Sequence, residues 1–255
     1  MIICLAGMHR SGTSLMSSYL HANGISMGEN MLGAGQGNEL GHYEDVEFLG
    51  FHKNILKSNK CNTLTPKQNL TISEEQALLG NKLIQHKKEN NGDWGWKEPR
   101  STLFLDYWYN IVPDAKFILM YRDPHEVIDS IYRRMRSLYF YGKPWLAQQS
   151  WLRYNQDVIK FYDKHPEQTF LVSINGLNSN IDASTKRLSA ALNRPLTADY
   201  TKIYKPQNLG NNPTKQKARF PTDIYKRILN SYYSQELKKM YNDLQFRAII
   251  KYEGK

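Results

Sequence analysis

The sequence predicts an α/β fold in three layers, a mainly parallel sheet covered by helices on both faces. Two observations carry this reading. The run Lys116–Tyr121 (Lys-Phe-Ile-Leu-Met-Tyr) is apolar without alternation, as in a strand buried on both faces. Along the chain, such apolar runs alternate with segments whose apolar residues recur at helical spacing. The 255 residues suffice for one large domain with a full core, and residues 1–255 are read as a single domain.

Each element follows from a local pattern. Ile2–Ala6 is a short apolar strand that runs at once into a glycine-bounded loop. Leu15, Met16, Tyr19 and Leu20 then recur at helical spacing. Residues 23–45 hold six glycines and three asparagines and read as a loop-rich, mobile segment. Val46–Leu56 reads as a helix, and Ser73-Glu74-Glu75-Gln76 starts another that ends near Asn90-Asn91-Gly92. Trp94–Lys97 is a short strand stopped at Pro99, and Thr102–Val112 is helical. Arg122-Asp123-Pro124 ends the Lys116–Tyr121 strand, and Val127, Ile128, Ile131 and Tyr132 mark one side of the next helix. Trp145–Tyr162 reads as helix, Thr169–Ile174 as strand and 182–192 as helix. Residues 205–222 form a long polar loop, and Ile224–Leu244 a single closing helix.

Composition narrows the partners without choosing among them. The net charge of +10 suits an anionic partner: a nucleotide, a nucleic acid, an acidic acceptor or an anionic membrane. Cys4 and Cys61 match no metal-ligand spacing and read as two reduced thiols. The apolar start is too short for a signal-peptide core, and no window approaches the roughly 20 apolar residues of a spanning helix. A cytoplasmic protein with no membrane span is therefore expected. Neither a zinc spacing nor an RNA-binding aromatic motif is present, so no nucleic-acid partner is expected.

The chemistry lies in Gly7-Met8-His9-Arg10-Ser11-Gly12-Thr13-Ser14. A strand, a loop with glycine at both ends and a helix make a phosphate cradle, in which backbone N–H groups and the helix N-terminus face the anion. The spacing Gly7-x-x-x-x-Gly12 is that of a P-loop, so the expected sheet is P-loop-NTPase-like. The ATP and GTP versions continue with Lys, which serves the β- and γ-phosphates beside Mg²⁺. Here Thr13 stands in that place, and the cation is Arg10, inside the loop. Arg with several hydroxyls suits a tetrahedral anion bound without metal.

With these residues in view, His9-Arg10-Ser11-Gly12-Thr13-Ser14-Leu15 resembles the 5′-phosphosulfate loop of sulfotransferases, enzymes that use 3′-phosphoadenosine 5′-phosphosulfate (PAPS). His9 stands where many relatives have Pro. The order strand Lys116–Tyr121, Arg122, Ser130 is similar to the family's 3′-phosphate motif. Trp96-Lys97-Glu98-Pro99-Arg100 resembles the Lys-Asp-Pro segment of tyrosylprotein sulfotransferases and their bacterial relatives, where the Lys approaches the transferring sulfonate. Ile203-Tyr204-Lys205-Pro206-Gln207-Asn208 resembles a Lys-Pro-x-Asn segment. It precedes Lys215, Lys217 and Arg219, of which Lys215 is the favoured contact to a 3′-phosphate. After the strand Thr169–Ile174, many relatives carry Tyr-Glu, whereas this chain has Ile174-Asn175.

The resemblance implies a sulfotransferase that uses PAPS, requires no metal and acts on a hydroxyl-bearing acceptor: a carbohydrate, lipid, small molecule or peptide. It implies that His9, Arg10, Ser11, Gly12, Thr13 and Ser14 hold the 5′-phosphosulfate, and that Arg122, Ser130 and Lys215 hold the 3′-phosphate. Lys97 and Arg10 would stabilise the transferring group. The catalytic base falls in Gly41-His42-Tyr43-Glu44-Asp45: Glu44 by likeness to tyrosylprotein enzymes, or His42 by likeness to cytosolic small-molecule enzymes. Asp45 reads as the N-terminal charge of the next helix. Residues 23–45 and 136–150, with Tyr139, Phe140, Tyr141 and Trp145, are expected to line the acceptor cleft. Two other readings stay open. A P-loop kinase or nucleotide hydrolase would need Asp123 as its Mg²⁺ ligand, and a non-catalytic binding module would rest on charge alone.

Overall fold

A computed structural model of the chain describes residues 1–28, 44–64, 67–89, 92–134, 143–204 and 220–254. Its centre is a four-stranded, wholly parallel sheet in the order β2-β1-β3-β4. The strands are β1 (Ile2–Ala6), β2 (Trp94–Lys97), β3 (Lys116–Tyr121) and β4 (Thr169–Ser173). In register, Leu5 of β1 stands beside Lys97 on one side and Ile118 on the other.

Side chains of successive strand residues point to opposite faces, and the two cores follow that alternation. Cys4, Ala6, Phe117, Leu119 and Tyr121 face one core. Ile3, Leu5, Ile118 and Met120 face the other. The first core is closed by α2 (Val46–Ser58), α4 (Leu105–Ile111), α5 (Pro124–Arg134), α6 (Leu146–Lys164) and α11 (Ser234–Arg247). The second is closed by α1 (Thr13–Ala22), α7 (Ile174–Ser179), α8 (Ile181–Leu192) and α9 (Tyr200–Ile203). Two further helices, α3 (Glu74–Glu89) and α10 (Phe220–Tyr232), pack beside these. The expected α/β sandwich is thus present, with helices on both faces of a parallel sheet.

Several boundaries differ from the sequence reading. The helix expected at Thr102–Val112 begins earlier, as a 3-10 turn over Pro99–Phe104, before α4. Pro99 needs no N–H donor at a helix start, and Glu98 accepts from the backbone N–H of Arg100 at 3.0 Å. β4 stops at Ser173, whose side chain accepts from Gly176 N–H and opens α7. The single closing helix is two, α10 and α11, broken at Tyr233. Ser26, within the segment expected to be loop, makes an isolated parallel bridge to Trp94. Most of that segment, residues 29–43, lies outside the described residues.

The C-terminal ends of the strands gather the residues singled out above: the loop after β1, Lys97 ending β2 and Arg122 just after β3. In parallel sheets ligands collect at that edge. Gly7 joins β1 to the loop at φ +131°, and a Cβ there would lie 2.1 Å from the carbonyl oxygen of Met120. The loop therefore rests directly on β3. Gly7→Ala is expected to destabilise the chain by at least about 1–3 kcal/mol, the usual cost of a residue in such a backbone region. Urea unfolding checks this, and an unchanged midpoint would show that the loop can move off β3.

Candidate active site

Gly12, at φ +89°, is the N-cap of α1; no side chain caps that helix, and no acidic residue lies in its first turn. The helix thus offers N–H groups and partial positive charge to an anion. Arg10 adopts φ +75°, a left-handed conformation that is strained for a residue with a Cβ and that tends to occur at ligand clamps. Ser11 and Thr13 are buried. Gly7 N–H donates to Thr102 Oγ1 at 2.8 Å, which ties the loop to the 3-10 turn that follows Lys97.

Arg10, Arg122 and Ser130 form one cluster. Arg10 Nε donates to Ser130 Oγ at 2.7 Å, and an Arg122 terminal N–H reaches the carbonyl oxygen of Arg10 at 3.4 Å. Residues assigned from sequence to the 5′-phosphosulfate (Arg10) and to the 3′-phosphate (Arg122, Ser130), two groups carried by one ribose, are therefore adjacent. Arg122 is buried and ion-paired with Glu126, one helical turn along α5. Glu126 Oε1 accepts from Asn175 Nδ2 at 3.0 Å, so the residue that departs from the Tyr-Glu pattern supports this pair. Asp123 has a different task. Its Oδ1 accepts from the backbone N–H groups of His125 at 2.8 Å and Glu126 at 3.3 Å, capping α5.

Lys97 and Glu44, 53 residues apart, meet in a second cluster. Lys97 Nζ lies 3.1 Å from Glu44 Oε1, and the ammonium is 1% exposed. Burial lowers the Lys97 pKa, opposed by the Glu44 charge and hydrogen bond. Asp45 caps α2 by accepting from Glu47 N–H at 2.9 Å, as its position suggested. Buried Lys87 of α3 lies 3.4 Å from Asp45 Oδ2 and 2.7 Å from Glu47 Oε2, fixing the start of α2 just after Glu44. His42 and Lys215, with Lys217, Arg219 and residues 135–142, lie outside the described residues.

Sequence reasoning missed the network behind Lys97. Glu98 is fully buried; its Oε2 lies 2.7 Å from His52 Nδ1, and Oε1 pairs with Arg100. Trp108 Nε1 donates to His52 Nε2 at 3.0 Å, which leaves Nδ1 as the protonated nitrogen facing Glu98. Arg100 Nε donates to Thr63 Oγ1 at 2.8 Å. Burial alone would raise the Glu98 pKa, but the His52 hydrogen bond and the Arg100 charge outweigh it and hold the pKa at about 2. A signal existed: His52 falls on the buried stripe Phe48, Leu49, Ile55, Leu56 of α2, where a polar side chain needs a partner. His9 also turns inward. Its Nε2 is sealed from solvent, its ring meets Tyr154 edge-on at 6.4 Å, and burial, then nearby Arg100, drives its pKa well below the ordinary value.

Comparison with known proteins names this arrangement. The model of the sulfotransferase family matches residues 3–198, and the chain belongs to that family, whose reaction is sulfonate transfer. The fold resembles the sulfotransferase domain from the curacin biosynthetic pathway at 18% identity and TM-score 0.53, covering 91% of this chain and 96% of that one. It also resembles sulfotransferase STF9 from Mycobacterium avium at 13% identity and TM-score 0.56, over 93% and 76% of the two chains. The sulfotransferase from Alicyclobacillus acidocaldarius is similar at 13% identity and TM-score 0.54, over 96% and 94%. A search of curated proteins found no match. Among the described residues, no helix is long and apolar enough to cross a membrane.

The Glu98 pKa makes a prediction about acid stability. Its folded value, about 2, lies below the ordinary 4.5, so the contribution is complete above pH 4.5 and is lost as pH falls towards 2. The shift corresponds to about 3 kcal/mol. In Glu98→Gln the dependence of unfolding free energy on pH between 4.5 and 2 should flatten by roughly one proton's worth. Urea melts across that range test it, and parallel curves for both proteins would show that other carboxylates govern acid unfolding.

Proposed function

We propose that this chain, as a single domain, moves a sulfonate group from PAPS to an acceptor hydroxyl by in-line displacement. The observation that carries the reading is the buried Lys97–Glu44 pair, a cation and a carboxylate brought together at the strand edge beside the Arg10 loop. The residues present fit PAPS. The uncapped start of α1 with Arg10, Ser11, Gly12, Thr13 and Ser14 would hold the phosphosulfate. Arg122 and Ser130, with Lys215 of the following segment, would hold the 3′-phosphate. When bound, the donor supplies a sulfonate on a phosphate leaving group.

Glu44 then accepts the proton of the acceptor hydroxyl, holding that oxygen in position to attack. Lys97 donates to the oxygens that gain negative charge, from a site that water does not reach, and Arg10 adds positive charge from the loop side. The alternative, a P-loop kinase or hydrolase, loses support at two residues. Thr13, in place of the Walker lysine, is buried. Asp123, its expected metal ligand, is occupied in capping α5.

Lys97→Ala should lower kcat about 10²–10³-fold, as for removal of one preorganised donor, and Glu44→Gln about 10²–10⁴-fold, as for loss of a general base. Both should keep affinity for 3′,5′-ADP. Arg122→Ala should instead weaken 3′,5′-ADP by about 1.5–3 kcal/mol, some ten- to hundredfold. Calorimetric titration of 3′,5′-ADP and of ATP with Mg²⁺, with transfer rates measured in EDTA, decides the matter. Tight Mg²⁺–ATP binding without 3′,5′-ADP binding would make the kinase reading correct.

A further inference from the structure

Arg122 is held from behind by a chain of side chains. Its side chain is 3% exposed, and its Nε donates to Glu126 Oε2. The other oxygen of Glu126 accepts from Asn175 Nδ2 at 3.0 Å. The oxygen of that same amide, Asn175 Oδ1, accepts at 3.4 Å from the backbone N–H of Asp123, the residue after Arg122. The chain thus runs from the start of α7 through α5 to the end of β3. From there an Arg122 terminal N–H reaches the loop, at the carbonyl oxygen of Arg10.

Each link rests on fixed backbone. Ser173, just before α7, donates its N–H to the carbonyl oxygen of Ile250 at 2.9 Å. A Cβ on Gly176 would lie 2.1 Å from the carbonyl oxygen of Lys251, so the turn that carries Asn175 is packed tightly. The backbone N–H of Glu126 is bonded to Asp123 Oδ1. The chain is also directional in its chemistry. A side-chain amide donates from nitrogen and accepts at oxygen, so Asn175 can face a carboxylate on one side and an N–H on the other. An aspartate there could not donate to Glu126, and two carboxylates would meet. The guanidinium is planar, so fixing Nε on Glu126 also sets the direction of the terminal nitrogens.

We infer that Glu126 and Asn175 are positioning residues: acting through Arg122, they make the site select nucleotides that carry a 3′-phosphate. The inference rests on the reading in which Arg122 holds that phosphate. An arginine side chain loses much rotamer freedom when it clamps a ligand, and a partner that fixes it beforehand removes that cost from binding. Bidentate contact with a phosphate also needs the guanidinium plane in one orientation. The negative charge of Glu126 acts the other way, towards repelling a phosphate. The sign of the change when Glu126 is removed therefore separates positioning from repulsion.

Calorimetry with 3′,5′-ADP and with 5′-AMP, the same nucleotide without the 3′-phosphate, tests this on the full chain. Glu126→Ala and Asn175→Asp should each weaken 3′,5′-ADP about tenfold or more, the effect usual for a residue that orients a ligand group from behind. Affinity for 5′-AMP should stay as in wild type, which also shows that the variants fold. Glu126→Gln keeps an oxygen for Arg122 Nε and should recover much of the loss; it carries the comparison, with Asn175→Ala, if Glu126→Ala does not fold. In an Arg122→Ala background, adding Glu126→Ala should cost nothing further. Equal losses for both nucleotides, or a loss that persists without Arg122, would make the chain a structural brace and overturn the inference. Tighter 3′,5′-ADP binding in Glu126→Ala would overturn it in favour of repulsion. If wild type and Arg122→Ala bind 3′,5′-ADP and 5′-AMP equally well, the reading of Arg122 itself fails instead.

Discussion

The carboxylate of Glu98 holds three parts of the molecule in one place. It is wholly buried, and its oxygens engage His52 from α2 and Arg100 from the 3-10 turn, which Glu98 also caps. A buried carboxylate without such partners would be neutral or expelled; with them it stays charged. The consequence is geometric. Lys97 precedes it at the end of β2, and Thr102 follows it to hold Gly7 N–H. His52 fixes the helix whose first turn follows Glu44. Removing one partner from a buried ion pair typically costs about 3–5 kcal/mol, so the network is exacting about which residues it contains.

Around that anchor the cations are arranged in two groups. Lys97 is balanced by Glu44, and Arg122 by Glu126, with Asn175 holding the second oxygen of Glu126. Arg10 joins the Arg122 group through Ser130 from a strained backbone conformation. Strain of this kind persists where the surroundings over-determine it, and here Ser130 and Arg122 both bond to Arg10. At the site Lys97 and Arg122 are each held by a named acid, and Arg10 by the hydroxyl of Ser130.

Much of this was legible in the sequence. The run Lys116–Tyr121 announced a buried central strand because neither of its faces is polar, and β3 is that strand. The spacing of Gly7 and Gly12 announced a strand-loop-helix cradle, since only a residue without Cβ fits so near the Met120 carbonyl. Local signals failed where tertiary contacts set the boundary. The start of α4 moved because Pro99 and Glu98 built a 3-10 turn first, and the closing helix broke at Tyr233 without any glycine or proline to mark it. His52 and Tyr154 lie among the buried residues of their helices, and a pattern shows which face is buried and not what a polar atom meets there.

By itself the sequence determined the order of the strands and the strand-loop-helix at residues 2–22, because these depend on apolar patterning and on the residue types in one short loop. Only the tertiary structure decided that Lys97 pairs with Glu44, that Arg10 reaches Ser130, and that Asp123 serves a helix end. Those pairings join residues up to 120 positions apart. They arise because a parallel sheet brings the C-terminal ends of its strands to one edge, where buried charges must find partners or be excluded.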